Sequence, residues 1–229
     1  MGEHEHNERR HDLEGLDGAG EPFDVVVRRD GGVIWLLRTG IDHTGTLDTN
    51  VLWDIAIRAS VLVDLTVGAA QFWWDDDGVH AQPTGIDYLD RAVTEMRGFP
   101  EDIERSFLTG GQLRARDIAE HLVESGEWTR HLGFLSGSLH VYKAAVQQYI
   151  PERRRLAHVL DGDVHTGVEQ ELAIARLGHA LNVVRPTLLY SQPKSLPHAG
   201  SVDPIIVAAE VEIAATAAVA REAAQNPTW

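Results

Sequence analysis

Hydrophobic residues are concentrated in three long segments of the chain, each long enough to form a helix. Residues 51–70 are apolar on nearly every side, which is typical of a helix buried in the middle of a bundle. Residues 168–184 and 204–224 also have helical spacing, and the second of them is rich in alanine, which suits close packing. The pattern therefore predicts a mainly α-helical fold with these three helices as its central bundle.

Shorter amphipathic segments predict further helices around this bundle. Apolar residues recur at helical spacing in residues 86–96, 101–108 and 112–124. Residues 144–160 contain Pro151, and proline lacks the N–H group that a helix interior needs. We therefore expect either a break in this segment or a short helix that begins at the proline.

Two small β-hairpins are also predicted. In residues 23–37, β-branched runs flank a turn with two glycines, and in residues 72–81 aromatic and β-branched residues flank an aspartate-rich turn. The helix of residues 51–70 followed by the second hairpin is typical of the end of a winged-helix unit. The overall expectation is a central helical bundle, surrounded by amphipathic helices, with small β-hairpins.

The first 21 residues differ in composition from the rest of the chain. They are dense in glutamate, histidine, arginine and glycine, and after Met1 only Leu13 and Leu16 are large and apolar. This predicts a disordered acidic, histidine-rich tail at residues 1–21 and a single domain at residues 22–229. Because the chain starts with charged residues, we expect no signal peptide, and no uncharged apolar window is long enough to span a membrane.

Charge and cysteine content limit the classes of function. The chain has 35 acidic and 20 basic residues, for a formal net charge of −15. Nucleic-acid binding depends on a basic face, so we expect no nucleic-acid partner. The same acidity would repel an anionic bilayer unless basic residues are gathered locally. The absence of cysteine excludes disulfides and cysteine-based catalysis or metal sites, and it indicates a reducing cytoplasm.

Motifs for catalysis and metal binding are incomplete. The serine of residues 133–137 comes one place too late for the nucleophile motif of serine hydrolases. The aspartates of residues 75–77 are not followed by the late glutamate of a calcium loop, and the histidines lack the spacing of zinc ligands. The sequence therefore predicts no enzyme, no metal and no cofactor.

Three stretches together resemble a known family. A turn opens a helix in residues 83–92, a helix ends at a glycine in residues 122–128, and a late apolar helix covers residues 172–181. Their order behind residues 51–72 resembles the Golgi phosphoprotein 3 family (the GPP34 domain) in its bacterial-type form. Members are helical adaptors that bind lipids at membrane surfaces. The resemblance implies a cytoplasmic, peripherally membrane-associated adaptor for anionic lipid headgroups, with phosphatidylinositol 4-phosphate as a candidate ligand.

The resemblance also implies a headgroup site. The family pocket combines a tryptophan near a buried arginine with two basic residues of a later helix, which selects Trp53, Arg58, Arg114 and Arg116. A guanidinium group suits a phosphate because it offers paired donors. The alternative for Arg58 is an ion pair with a carboxylate such as Asp64, because a charge in so apolar a helix needs an anionic partner.

Two further surfaces and two other functions remain open. Phe134 and Leu135 occupy the place of the family's hydrophobic hairpin, which implies a membrane wedge or an oligomer contact; alternatively, they pack onto the bundle. The arginines of residues 153–155 are expected to form a solvated face. A structural or protein-interaction module that keeps the fold without a functional lipid pocket is the main alternative. A protein client and a second copy of the chain are the candidate protein partners. A winged-helix DNA binder is disfavoured by the acidic residues of its presumed wing.

Overall fold

The computed structural model describes residues 31–47, 49–68, 72–75, 77–131, 141–143, 146–161, 169–186 and 196–225. The predicted tail, residues 1–21, lies outside the described residues. So do residues 132–140, which include Phe134 and Leu135.

Helices dominate the described residues, and the predicted mainly α-helical fold is confirmed. In chain order the helices are α1 (Gly32–Thr39), α2 (Val51–Val63), α3 (Asp87–Met96), α4 (Ile103–Gly110), α5 (Ala115–Glu124), α6 (Val146–Leu160), α7 (Glu169–Ala180) and α8 (Asp203–Gln225). A π-helical turn, Asp64–Gly68, continues α2, and a 3-10 turn, Gly200–Val202, precedes α8.

Five short strands form two antiparallel sheets in the described part of the chain. The strands are β1 (Thr46–Leu47), β2 (Phe72–Asp75), β3 (Gly78–Ala81), β4 (Thr129–His131) and β5 (Val141–Lys143). β2 and β3 pair as the predicted second hairpin, with Phe72 opposite Ala81 and Asp75 opposite Gly78. The other sheet has the order β1-β5-β4 and was not predicted as a unit.

The predicted first hairpin is wrong over its described part, because Gly32–Thr39 is the helix α1. Its apolar run is buried on every side, and such a run does not distinguish a strand from a short buried helix by periodicity. The carboxylate of Asp64, at the end of α2, accepts the backbone N–H groups of Gly32 and Val33 at 2.7 and 3.0 Å. A distant residue thus caps the helix, and local sequence does not reveal it.

The prediction for Pro151 is also wrong, because α6 runs through it from Val146 to Leu160. Pro151 is exposed and lies early in the helix, so it removes one backbone hydrogen bond near a solvent-facing end. Burial of Tyr149, Leu156 and Leu160 on the other face of α6 offsets that loss.

The predicted central bundle is present. α2 packs against α1, α7 and α8, and α7 packs against α8. The buried side chains of α2 include Ile57, Val61 and Leu62, all fully removed from solvent. Arg176 of α7 ties this bundle together electrostatically, since its Nε and Nη2 donate to the carboxylate of Glu210 on α8 at 2.9 and 2.7 Å. α2 therefore lies at the centre of the bundle.

Candidate functional site

Arg58 lies in the middle of α2 and is buried, with 4% of its surface exposed. Its Nε donates to the carbonyl oxygen of Leu108 at 2.9 Å. Its Nη1 donates to the carbonyl oxygens of Gly111 and Leu113 at 2.7 and 3.2 Å. The guanidinium therefore satisfies the carbonyl groups at the end of α4 and in the loop that leads to α5.

The environment of Arg58 is that of a structural cation. Burial lowers the pKa of Arg58, while the nearby carboxylates of Asp54 and Glu95 act in the opposite direction. A buried charge is tolerated when hydrogen bonds stabilise it, and three carbonyl oxygens accept hydrogen bonds from Nε and Nη1 here. The Nε and Nη1 atoms are turned towards the protein's own backbone, so these two nitrogens are not presented to a ligand.

The interpretation that Arg58 pairs with Asp64 is wrong. The carboxylate of Asp64 instead binds the N-terminus of α1 and accepts the side-chain Nε2 of Gln170 at 2.6 Å. Burial raises the pKa of Asp64 to about 6, against the lowering effect of these hydrogen bonds. Arg58 and Asp64 lie six positions apart in the chain, but they bind different parts of the protein: Arg58 binds the loop after α4, and Asp64 binds the start of α1.

Three carboxylates accept hydrogen bonds from backbone N–H groups of the same loop and of the first residue of α5. Asp54 accepts the N–H of Ala115 at 2.9 Å, and Asp117 accepts the N–H of Arg114 at 2.9 Å. Glu95 of α3 accepts the N–H of Gln112. Free N–H groups at a helix N-terminus form a natural phosphate site, but here negative groups already fill that position at α5.

Trp53 is buried and faces away from the loop. Its ring lies so close to Gly40, after α1, that a Cβ atom at Gly40 would come within 2.2 Å of it. Five residues separate Trp53 from Arg58, so on an α-helix their side chains point about 140° apart. Trp53 therefore packs the end of α1 and takes no part in a surface shared with Arg58.

Arg114 and Arg116 are the exposed members of the predicted set. Arg116 Nε lies 3.9 Å from the carboxylate of its neighbour Asp117, and 58% of its side chain is exposed. The structure thus places two of the four predicted residues in the interior and two on the surface, and it does not assemble them into one site. The predicted wedge, Phe134 and Leu135, lies outside the described residues.

A cleft of about 420 Å³ lies beside this loop, between α3 and the start of α5. It is lined by Asp87, Asp90, Arg91, Thr94, Glu95, Gln112 and Leu113. Sequence reasoning missed it, although a signal was present. The polar residues of α3 recur at positions 87, 90, 91, 94 and 95, which is the spacing of one helix face. The lining has three carboxylates and one guanidinium, so its charge is negative.

Two of the three carboxylates in the cleft, Asp90 and Glu95, are held by hydrogen bonds. Asp90 accepts the N–H and the hydroxyl of Thr84 at 2.7 and 2.9 Å, and the N–H of Gly85 at 3.2 Å. These bonds, with the N–H of Thr84 first, hold the pKa of Asp90 below its ordinary value. Asp90 therefore stays ionised at neutral pH and is suited to attract a cation rather than to transfer a proton.

The predicted solvated arginine face is wrong in part. Arg153 is partly buried, and its Nη2 donates to the carbonyl oxygens of Thr39, at 2.7 Å, and Ile41. Arg155 binds the carboxylate of Glu171 on α7 at 2.5 Å. Arg153 thus caps the C-terminal end of α1, and sequence alone does not reveal this because the two segments are far apart in the chain.

Within the described residues, no group of three or more His, Cys, Asp or Glu side chains is arranged to hold a metal ion. None of the described helices is long and apolar enough to cross a membrane. No known family model matches the chain, and a search of curated proteins finds no significant match.

Proposed function

We propose that this chain is a non-enzymatic, helical protein-interaction module whose cleft beside α3 receives a cationic side chain of a partner protein. The observation that carries the proposal is the set of hydrogen bonds made by the loop before α5. Two of its carbonyl groups accept hydrogen bonds from Arg58, and the N–H groups of Arg114 and Ala115 donate to the carboxylates of Asp117 and Asp54. Negative groups next to these N–H groups favour a cation over a phosphate as the ligand.

The chemistry of the cleft supports a cationic ligand. Asp87, Asp90 and Glu95 bring three negative groups to its lining, against the single positive group of Arg91. Asp90 and Glu95 are fixed by hydrogen bonds to Thr84 and Gln112, so their orientation is set before a ligand arrives. Pre-organised acceptors favour binding because less ordering is needed on association. A lysine or arginine side chain fits this combination of size, charge and geometry.

The first experiment measures binding of a labelled oligo-arginine peptide by fluorescence anisotropy. Because a protein with a net charge of −15 attracts any polycation, the test depends on matched variants. Asp87→Asn removes one negative charge at the cleft, and Glu222→Gln removes one at the exposed end of α8. We expect a loss of affinity of about tenfold for Asp87→Asn, equal to one well-placed charge contact, and little change for Glu222→Gln. Equal effects would contradict a cleft-specific site.

Lipid binding is the second candidate, and the exposed side chains of Arg114 and Arg116 favour it. Sedimentation with phosphatidylcholine vesicles, with and without phosphatidylinositol 4-phosphate, tests it directly. On the proposal above, the phosphoinositide adds no binding. Phosphoinositide-dependent sedimentation that is lost in the folded variant Arg114→Ala/Arg116→Ala would instead support a peripheral membrane adaptor.

A further inference from the structure

We infer that the open edge of β2 is a docking site for an extended, basic segment of a partner protein, which adds to the sheet as a third, antiparallel strand. This inference is independent of the cleft beside α3. In the described part of the chain, β2 and β3 form a sheet of two strands. Such a sheet has two edges, and each edge presents backbone N–H and C=O groups that a further strand can bind.

The two edges of this sheet differ in what covers them. On the β3 edge, Nε of Arg97 donates to the carbonyl oxygen of Val79 at 3.4 Å, and its Nη2 donates to the carbonyl oxygen of Ala81 at 3.2 Å. The side chain of Arg97 thus occupies the β3 edge. Among the described residues, no strand and no side-chain donor makes the corresponding contact with the backbone of β2. The β2 edge is therefore the one that a third strand can use.

The register of the hairpin identifies the backbone groups at the open edge. Val79 and Ala81 turn their carbonyl groups away from β2, so they belong to the non-hydrogen-bonded pairs of the antiparallel ladder. Their cross-strand partners are Trp74 and Phe72. The N–H and C=O groups of Phe72 and Trp74 therefore point away from β3, along the open edge. A third strand thus finds donors and acceptors at two alternate residues of β2.

The outer face of the hairpin favours basic side chains on that third strand. Trp73 is 52% exposed, and its ring stacks on the imidazole of His80 with the ring centroids 5.0 Å apart. Asp75 lies on the same face as Trp73, about 7 Å farther along the strand. The residue of a third strand that lies opposite Trp73 projects from this face. A lysine or arginine there can lie over the indole ring and reach the carboxylate of Asp75.

The charge at the end of the hairpin selects the partner. Oδ1 of Asp75 lies 3.0 Å from Nε2 of His80 and accepts the N–H of Asp77 at 2.9 Å. The hydrogen bond with His80, followed by that with Asp77, holds the pKa of Asp75 below its ordinary value, so Asp75 is ionised at neutral pH. Asp77 is exposed beside it. These charges repel a nucleic acid, an anionic bilayer or the same edge of a second copy, whereas they attract a basic segment.

Two labelled peptides of the sequence Thr-Arg-Thr-Arg-Thr-Arg-Thr test the inference by fluorescence anisotropy. In the inferred antiparallel pairing, threonines lie opposite Phe72 and Trp74 and exchange backbone hydrogen bonds with them, whereas the N–H groups of the arginines point away. One peptide is N-methylated at its threonines and the other at its arginines. Their charges and side chains are the same, so general attraction to this acidic chain, or binding in the cleft, acts equally on both.

The peptide methylated at its threonines should bind wild-type protein at least about tenfold more weakly, because it lacks the donors for the open edge. Equal affinities, or the reverse order, would overturn the inference whatever the outcome for the cleft. The comparison needs no variant of the protein, so it does not depend on a variant that folds. A wild-type dimer that excludes both peptides would also overturn the inference, since that result assigns the edge to a second copy.

Two variants place the binding on the hairpin. Trp73→Ser should weaken binding of the arginine-methylated peptide about threefold, the effect of one exposed cation–π contact, and Val51→Ser, at a valine that is 54% exposed on α2, should not. Trp74→Pro removes one N–H of the open edge, at a position where an edge strand tolerates proline. In this variant, checked for folding by circular dichroism, the two peptides should bind with similar affinity. A difference that persists in Trp74→Pro, or equal effects of the two serine variants, would contradict docking at β2.

Discussion

The Nη1 atom of Arg58 lies 2.7 Å from the carbonyl oxygen of Gly111 and so joins the centre of α2 to the loop between α4 and α5. Together with the bonds to the carbonyl oxygens of Leu108 and Leu113, this contact holds the loop against α2. A residue selected from the sequence as a ligand-binding cation therefore has a structural role, and that role is measurable as stability.

Replacement of Arg58 should destabilise the fold. Arg58→Ala leaves three carbonyl oxygens without their donor, and we expect the free energy of unfolding to fall by at least about 3 kcal/mol. Urea unfolding followed by circular dichroism measures this. Arg116→Ala is the control, because its side chain is 58% exposed and should change stability by less than about 0.5 kcal/mol. Similar losses for the two variants would contradict the assigned role.

Replacement by alanine should affect stability differently at the two adjacent glycines Gly110 and Gly111. A Cβ atom at Gly111 would come within 2.5 Å of the carbonyl oxygen of Phe107 and 2.6 Å of Cδ of Arg58, so Gly111→Ala should cost about 1–3 kcal/mol. At Gly110 a Cβ atom meets nothing within 4 Å, so Gly110→Ala should be neutral or stabilise α4 by up to about 1 kcal/mol. Thermal unfolding of both variants makes the comparison. A stable Gly111→Ala variant would show that the loop is not held closely against Arg58.

Asp64 should make stability fall as pH rises from about 4 to about 6. Burial raises its pKa from 3.8 to about 6 in the folded state, so in this window the folded protein keeps a proton that the unfolded chain loses. The stabilisation is fully present below the unfolded pKa and is lost as pH rises through the folded pKa, and it amounts to on the order of 3 kcal/mol. Unfolding in urea at a series of pH values, for wild type and Asp64→Asn, measures the difference.

The Asp64→Asn variant should lack this pH dependence, because an amide does not titrate. Its stability relative to wild type should therefore improve as pH rises from about 4 to about 6. A constant difference across that range would show that Asp64 titrates normally in the folded protein.

Tyr149 should stabilise the junction between α6 and the segment after α5. Its hydroxyl donates to Glu127 at 2.7 Å and accepts the buried Nε1–H of Trp128 at 3.0 Å. Tyr149→Phe removes both bonds and leaves the indole donor unsatisfied, so we expect a loss of about 1–3 kcal/mol in urea unfolding. Tyr142→Phe, which removes a single bond to Glu120, should cost less. The reverse order would contradict this description of the network.

Glu127, at the centre of this network, should give stability the opposite pH dependence to Asp64. Burial acts to raise its pKa, but hydrogen bonds from Arg38 and Tyr149 outweigh burial and hold the pKa below its ordinary value. A carboxylate with a lowered pKa stabilises the fold above its unfolded pKa, and this stabilisation is lost as pH falls through the folded pKa. The free energy of unfolding of Glu127→Gln should therefore fall furthest below that of wild type at neutral pH, and the difference should be smallest in acid. A difference that grows on acidification would contradict this assignment.

The sequence by itself determined the helical class, the three helices of the central bundle and the second hairpin. These follow from hydrophobic periodicity and turn residues, which act over a few neighbouring positions. Only the tertiary structure decided the state of α1, whose cap, Asp64, lies 32 residues from Gly32. It also decided the role of Arg58, whose carbonyl partners lie 50 to 55 residues away. A sequence shows which residues can donate or accept hydrogen bonds, but packing determines which of them meet, because a buried polar group must be satisfied by whatever the fold brings next to it.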